Sequence, residues 1–244
     1  MAKGTSLKKS FDAPSFHRLG QGELFRNLIL GSQDGIVNVL GIILGVAEST
    51  NSTQIVLLAG LAATFAESIS MAAVAYTSTR AEVEHYNAER MRELSEMDTV
   101  PDVEREEIRE IYRERGFSGK LLEQVVDKIC SDPKIWLDVM MRDELNLENP
   151  QANMSAFWQA VLVGFSAIIG SFIPLAAFFF LPVRDAMIAS VAIACAVLFF
   201  IGAYTRAATS GRWLRGGIEL MVIGGTAAIA GYLVGALFKV PVKP

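Results

Sequence analysis

The chain has 244 residues, 52% hydrophobic and 20% charged, with a formal net charge of −4. Residues 80–153 hold 11 of the 22 Lys and Arg and 19 of the 26 Asp and Glu, so an acidic, soluble insert interrupts an otherwise nearly neutral apolar chain. This distribution argues against a uniformly soluble globule, and nucleic acid is not an expected partner. Cys130 and Cys195 lie far apart in different surroundings, which disfavours a disulfide or a CxxC metal site.

Residues 1–22 read as a short cytosolic arm. Lys3, Lys8 and Lys9 are followed by Asp12, Pro14, His17 and Arg18 where a cleavable signal would have its apolar stretch, so the first apolar span is the expected targeting signal. That span, residues 28–47, carries Asp34 among apolar neighbours. A carboxylate at membrane depth costs about 3 kcal/mol even on lenient insertion scales, so it faces a partner, a cavity or a pathway. Gly31, Asp34, Asn38, Gly41 and Gly45 recur at spacings of three and four and share one helix face. The small residues suit close helix contact, and Asp34 and Asn38 suit a cation or a proton. The competing reading is a packing stripe whose Asp is satisfied by a polar neighbour.

Four more spans follow, at about 54–79, 155–181, 183–205 and 214–238, each near the roughly 20 residues that a bilayer core requires. The loop Glu48 to Thr53 has no Lys or Arg. Lys3, Lys8, Lys9, Arg18 and Arg26 precede the first span, the insert is rich in both, and Arg206, Arg212 and Arg215 lie in the fourth connection. By the positive-inside rule these three regions are cytosolic and the C-terminus lies on the opposite side. Lys239 and Lys243 run mildly against that assignment. Pro174 is expected to kink or break the third span. The expected fold is an all-α membrane protein with five transmembrane helices and a cytosolic helical insert between the second and third. Its domains are 1–22 (arm), 23–79 (spans one and two), 80–153 (insert) and 154–244 (spans three to five).

Within the insert, residues 80–97 continue the second span without Gly or Pro and so project from the membrane. Asp102 is the expected cap of a helix over 103–115 that Gly116 stops. Ser118 starts a helix to about Ser131, and Asp132-Pro133 marks an N-cap with proline at N1 for a fourth helix. Ile135, Trp136, Val139 and Met140 form its expected apolar stripe. Glu93 and Glu96, and likewise Glu104 and Glu107, stand three apart on successive helices, so the pairs can converge if the helices are antiparallel. Met140, Met141 and Glu144 add thioethers and a carboxylate, a mixed set that suits ferrous iron better than calcium or magnesium. Taken singly, such pairs are more often a solvated surface, and such methionines core.

Gly31-Ser32-Gln33-Asp34-Gly35, Glu67-Ser68-Ile69-Ser70-Met71 and Trp136-Leu137-Asp138-Val139-Met140-Met141-Arg142-Asp143-Glu144-Leu145 together resemble the vacuolar iron transporter family, which includes a yeast importer of iron and manganese and many prokaryotic members. The resemblance covers most of residues 20–238. It implies a homodimer that exports ferrous iron from the cytosol in exchange for protons, with Asp34 and Met71 in a pathway between subunits. It further implies metal capture by Glu93, Glu96, Glu104, Glu107, Met140, Met141 and Glu144. Family members can carry the second-helix carboxylate one turn earlier, where Ala63 stands here; Glu67 lies four residues on, on nearly the face of Met71. The expected pathway set is therefore Asp34, Asn38, Glu67 and Met71. No permanently bound cofactor is expected: Fe2+ is substrate, and Mn2+, Co2+ or Zn2+ can bind the same ligands. The membrane would be a plasma membrane in a prokaryote and a vacuolar one in a eukaryote.

Two further readings come from other classes. Glu82-Val83-Glu84-His85 is a Glu-x-x-His element of the kind used at di-iron sites, which would make the insert a membrane-tethered ferroxidase. That reading needs a second such element, and the only other histidine is His17. A metal sensor without transport would share the insert but leave Asp34 and Glu67 unexplained. Glu219 is expected to pair with Arg215 and remain structural.

Overall fold

The computed structural model describes residues 17–150, 154–209 and 211–239. The described residues are helical, without strands, and fall into two units: Met1–Tyr76 with Ala156–Pro244, and Thr77–Ser155. Of the expected arm, residues 1–16 lie outside the described part, while 17–22 already belong to the first helix, α1, His17–Thr50.

In the first unit, α1 is followed by the start of α2 (Thr53–Thr99) and, after the insert, by α6 (Ala156–Leu175), α7 (Val183–Thr209) and α8 (Trp213–Leu237). All five are long and apolar enough to cross a membrane. The central helix is α1. Val39, Ile43 and Ala47 pack with Val56, Leu175 and Phe178, while Ile36, Leu40 and Leu44 pack with Ala194, Leu198 and Ala228.

Glycines let its neighbours approach. A Cβ on Gly45 would come within 2.9 Å of the Gly231 carbonyl oxygen on α8, and one on Gly31 within 2.5 Å of the Val163 carbonyl oxygen on α6. The glycine stripe expected on one face thus serves two different helices. The outer surface is apolar, with Leu58, Ile69 and Phe200 each at least 70% exposed, as lipid contact requires.

Pro174 lies inside α6, and the chain tightens just beyond it into a 3-10 turn, Ala176–Phe179. Proline withholds one amide and crowds the preceding turn, and the Pro174 carbonyl is taken up by the buried Ser190 hydroxyl of α7. Glu219 pairs with Arg206 at 2.9 Å and not with Arg215 as expected. The reason is that α7 and α8 run side by side here, so a residue 13 positions away is nearer than one on the same helix. Cys130 and Cys195 are both free.

The second unit contains the remainder of α2, then α3 (Pro101–Glu114), α4 (Gly119–Cys130), α5 (Pro133–Val139) and a π-helical turn, Met140–Glu144. Pro101 takes the first turn of α3 and Val100 the cap position, without a side-chain bond. Asp102 therefore sits inside the first turn, where its charge complements the positive end of the helix dipole, and is not the cap. Gly116 has φ 93°, a left-handed conformation that closes α3 at little steric cost. Asp132 does cap α5, its carboxylate accepting from the Lys134 amide at 2.9 Å.

Ile108, Leu122, Val126, Ile129 and Met140 form one core, and Met97, Leu137 and Met141 a second. Of the expected stripe on the fourth helix, Trp136, Val139 and Met140 pack in or against the first core and only Ile135, 43% exposed, does not, while Leu137 joins the second. Beyond α5, in the π turn, the Leu145 amide bonds the Met140 carbonyl five residues back, at 3.1 Å.

Candidate functional site

In the first unit, α1 carries Asp34 and Asn38 one turn apart, and α2 carries Glu67 and Met71 at the same spacing. The Asn38 side-chain amide donates to Glu67 Oε1 at 2.7 Å, and Glu67 is within hydrogen-bonding reach of Asp34. Three of the four residues expected in a pathway therefore meet across the α1–α2 interface. Asp34, Glu67 and Met71 are half-buried and Asn38 is exposed, so the group is open on one side.

Two carboxyl groups at this depth call for a cation or a shared proton between them. The Thr64 and Ser68 hydroxyls spend their protons on the Gly60 and Thr64 carbonyls of their own helix, at 2.8 and 2.6 Å. Ala63 packs against the Val39–Ile43–Leu175 core, so a carboxylate one turn earlier would meet apolar side chains. Glu67 is the position on α2 that reaches Asn38 and Asp34.

In the second unit, Glu93 on α2 and Glu104 on α3 are 1% and 3% exposed. Each leaves its Oε2 without a hydrogen-bond partner. Burial of a charged carboxylate with an unpaired oxygen is costly and calls for a counter-charge.

Desolvation lifts the Glu104 carboxyl to about 7, helped by repulsion from Glu107, Glu93, Glu96 and Glu144. Glu144 is also pushed to about 7, first by desolvation of its carboxyl, then by Glu107 and Glu93. Burial raises Glu93 as well, against a hydrogen bond from Arg92. Five acids from two helices and the π turn thus share one field. Among the described residues, no three His, Cys, Asp or Glu side chains stand in ligating geometry.

Met140 and Met141 are 0% and 1% exposed and pack into the two separate cores, Met140 beside Ile108 and Met141 beside Leu137. His85 is 61% exposed and lies 3.9 Å from Glu89, and no second Glu-x-x-His pairs with it among the described residues. The sequence reading passed over Arg92, which contacts Glu89 at 2.7 Å, Glu93 at 3.1 Å and Glu96 at 3.5 Å. Its position three after Glu89 and four before Glu96 was a visible signal, since side chains three or four apart on a helix are neighbours.

The raised carboxyls make a pH prediction. A folded-state value above the ordinary 4.5 means that the folded insert holds protons the unfolded chain has released. Metal-free stability of α3 and α4 should therefore be greatest in acid and fall as pH rises from 4.5 through about 7. Metal binding should release protons at pH 6 and almost none at pH 8.5, measurable by calorimetry in buffers of different ionisation enthalpy. Equal proton release at both pH values would contradict the assignment.

A model of the VIT family matches residues 25–236. The chain belongs to the VIT family. Among relatives of this family, vacuolar iron transporter 2 of Oryza sativa subsp. japonica is 34% identical over 86% of both chains. Vacuolar iron transporter 1 of Arabidopsis thaliana is 34% identical over 86% of this chain and 84% of its own. A vacuolar iron transporter of Centaurea cyanus is 31% identical over 94% of both. These VIT relatives are named as transporters and not as enzymes, and the five apolar helices agree with an integral membrane protein.

Proposed function

We propose that this VIT-family chain is a metal transporter that moves ferrous iron, and manganese as a second substrate, out of the cytosol in exchange for protons. The observation that carries the metal reading is the pair of buried, unpartnered carboxylate oxygens on Glu93 and Glu104 amid three further acids. Glu93, Glu96, Glu104, Glu107 and Glu144 gather the ion on the cytosolic side. Met140 and Met141 lie next to this set in sequence and become ligands if the π turn re-forms around the ion, a softer contribution that favours ferrous iron over magnesium.

The ion then passes to Asp34, Asn38, Glu67 and Met71 at membrane depth. A divalent ion cannot cross hydrocarbon bare, and these side chains replace part of its water. When the ion leaves, the carboxyl groups of Asp34 and Glu67 take protons from the far side, which couples the two flows. One subunit supplies few polar groups at this depth, so a homodimer that doubles the ligand set completes the reading. The N-terminus and insert are cytosolic in this scheme and the C-terminus lies opposite.

The decisive experiment is uptake of Fe2+ and Mn2+ into proteoliposomes with an imposed pH gradient. Metal movement that follows the gradient supports the reading. Iron oxidation without uptake would favour an enzyme, and binding without either would favour a sensor. In the same assay Met71→Leu keeps volume but loses the thioether. Transition-metal uptake should fall several-fold, and an unchanged rate would return Met71 to packing.

A further inference from the structure

The acid cluster of the insert is not empty of positive charge. Arg92 reaches Glu93 at 3.1 Å and Glu96 at 3.5 Å, two of the acids assigned to metal capture, and Glu89 at 2.7 Å, which is not among them. All three partners lie on its own helix, α2, so no second helix anchors the guanidinium, and its side chain is 50% exposed. Glu93 Oε1 is thus covered by Arg92 while Glu93 Oε2 has no partner. Glu89 offers the shortest contact and its side chain is 21% exposed, so the guanidinium keeps a partner when Glu93 and Glu96 are needed elsewhere.

We propose that Arg92 is a resident counter-cation of the acid cluster: it bridges Glu89, Glu93 and Glu96 while the site is empty, and it gives up Glu93 and Glu96 and keeps Glu89 when a divalent ion arrives. Its charge opposes the incoming cation, so it sets the metal concentration at which the insert fills. It also keeps the empty cluster from flying apart. A monovalent ion brings too little charge to displace a guanidinium held by three carboxylates, which gives the site a preference for divalent ions without any change in its ligands. The proposal rests on the capture-site reading given above.

The test uses the full-length protein in detergent carrying Asp34→Asn, so that the membrane carboxylate pair is broken and the insert dominates binding. Manganous ion is the probe, because the resonance of free aqueous Mn2+ reports the unbound fraction. Arg92→Gln should tighten the Kd by about tenfold, since a unit positive charge in contact with Glu93 and Glu96 is removed at a half-exposed position. Arg92→Lys keeps the charge and should stay within about threefold of the parent. Glu89→Gln should weaken binding in the parent, by confining Arg92 to Glu93 and Glu96, and should lose most of that effect in the Arg92→Gln background. Unchanged or weaker binding in Arg92→Gln overturns the proposal, as does a Glu89→Gln effect that is equal in both backgrounds. No Mn2+ binding by the parent overturns the capture site itself, and with it this proposal.

Discussion

Asp34→Asn should abolish metal uptake in proteoliposomes while leaving a folded, membrane-inserted protein. The substitution keeps the shape of the side chain but removes the charge and the proton site. Packing around position 34 should tolerate it, because the neighbouring Gly35 and Ile36 bury against α6 and the α7–α8 side independently of the carboxyl group. Transport should fall at least about a hundredfold, because a divalent ion then meets one carboxylate per subunit in place of two at a depth where each missing charge costs several kcal/mol. Glu67→Gln should act in the same direction, and Asn38→Ala more mildly, since Asn38 orients Glu67 through one 2.7 Å hydrogen bond. Unimpaired uptake by a well-expressed Asp34→Asn chain would remove the proposed pathway.

The second large effect concerns linkage in the insert. If the five acids hold one or more ions, metal at a hundredfold above its dissociation constant should stabilise the insert by about 2.7 kcal/mol, since it binds the folded form alone. Amide exchange in α3 and α4 of the full-length protein should then slow by about a hundredfold on adding Mn2+, and far less with Mg2+. Replacing Glu104 and Glu107 by Gln should remove most of that slowing. The metal-free insert should become no less stable at pH 8, and even more so, because a buried carboxylate with an unpartnered oxygen has been neutralised. An identical metal effect in the Gln variant would return these acids to the role of a solvated surface.

Both predictions depend on contacts whose legibility in the sequence differed. The five apolar helices, the break before α3, the Asp132 cap and the acid pairs at spacing three were all readable, because span length, helix stops and helical period are local properties of a few consecutive residues. The identity of Asp34 as a costly intramembrane charge needed nothing beyond its apolar flanks.

What partners each charged group was decided by the tertiary structure. The rotation and approach of α1 and α2 bring Asn38 to Glu67 across 29 residues, and those of α7 and α8 give Glu219 to Arg206 in place of Arg215. The π turn could not be read from periodicity, because five residues are too few to show a change of helical period, and which core takes Met140 and which Met141 depends on the helices packed against them. The burial that separates Glu93 and Glu104 from the other acids likewise comes only from packed helices. A helical period says which side chains share a face, and only the neighbouring helix says whether water can reach them.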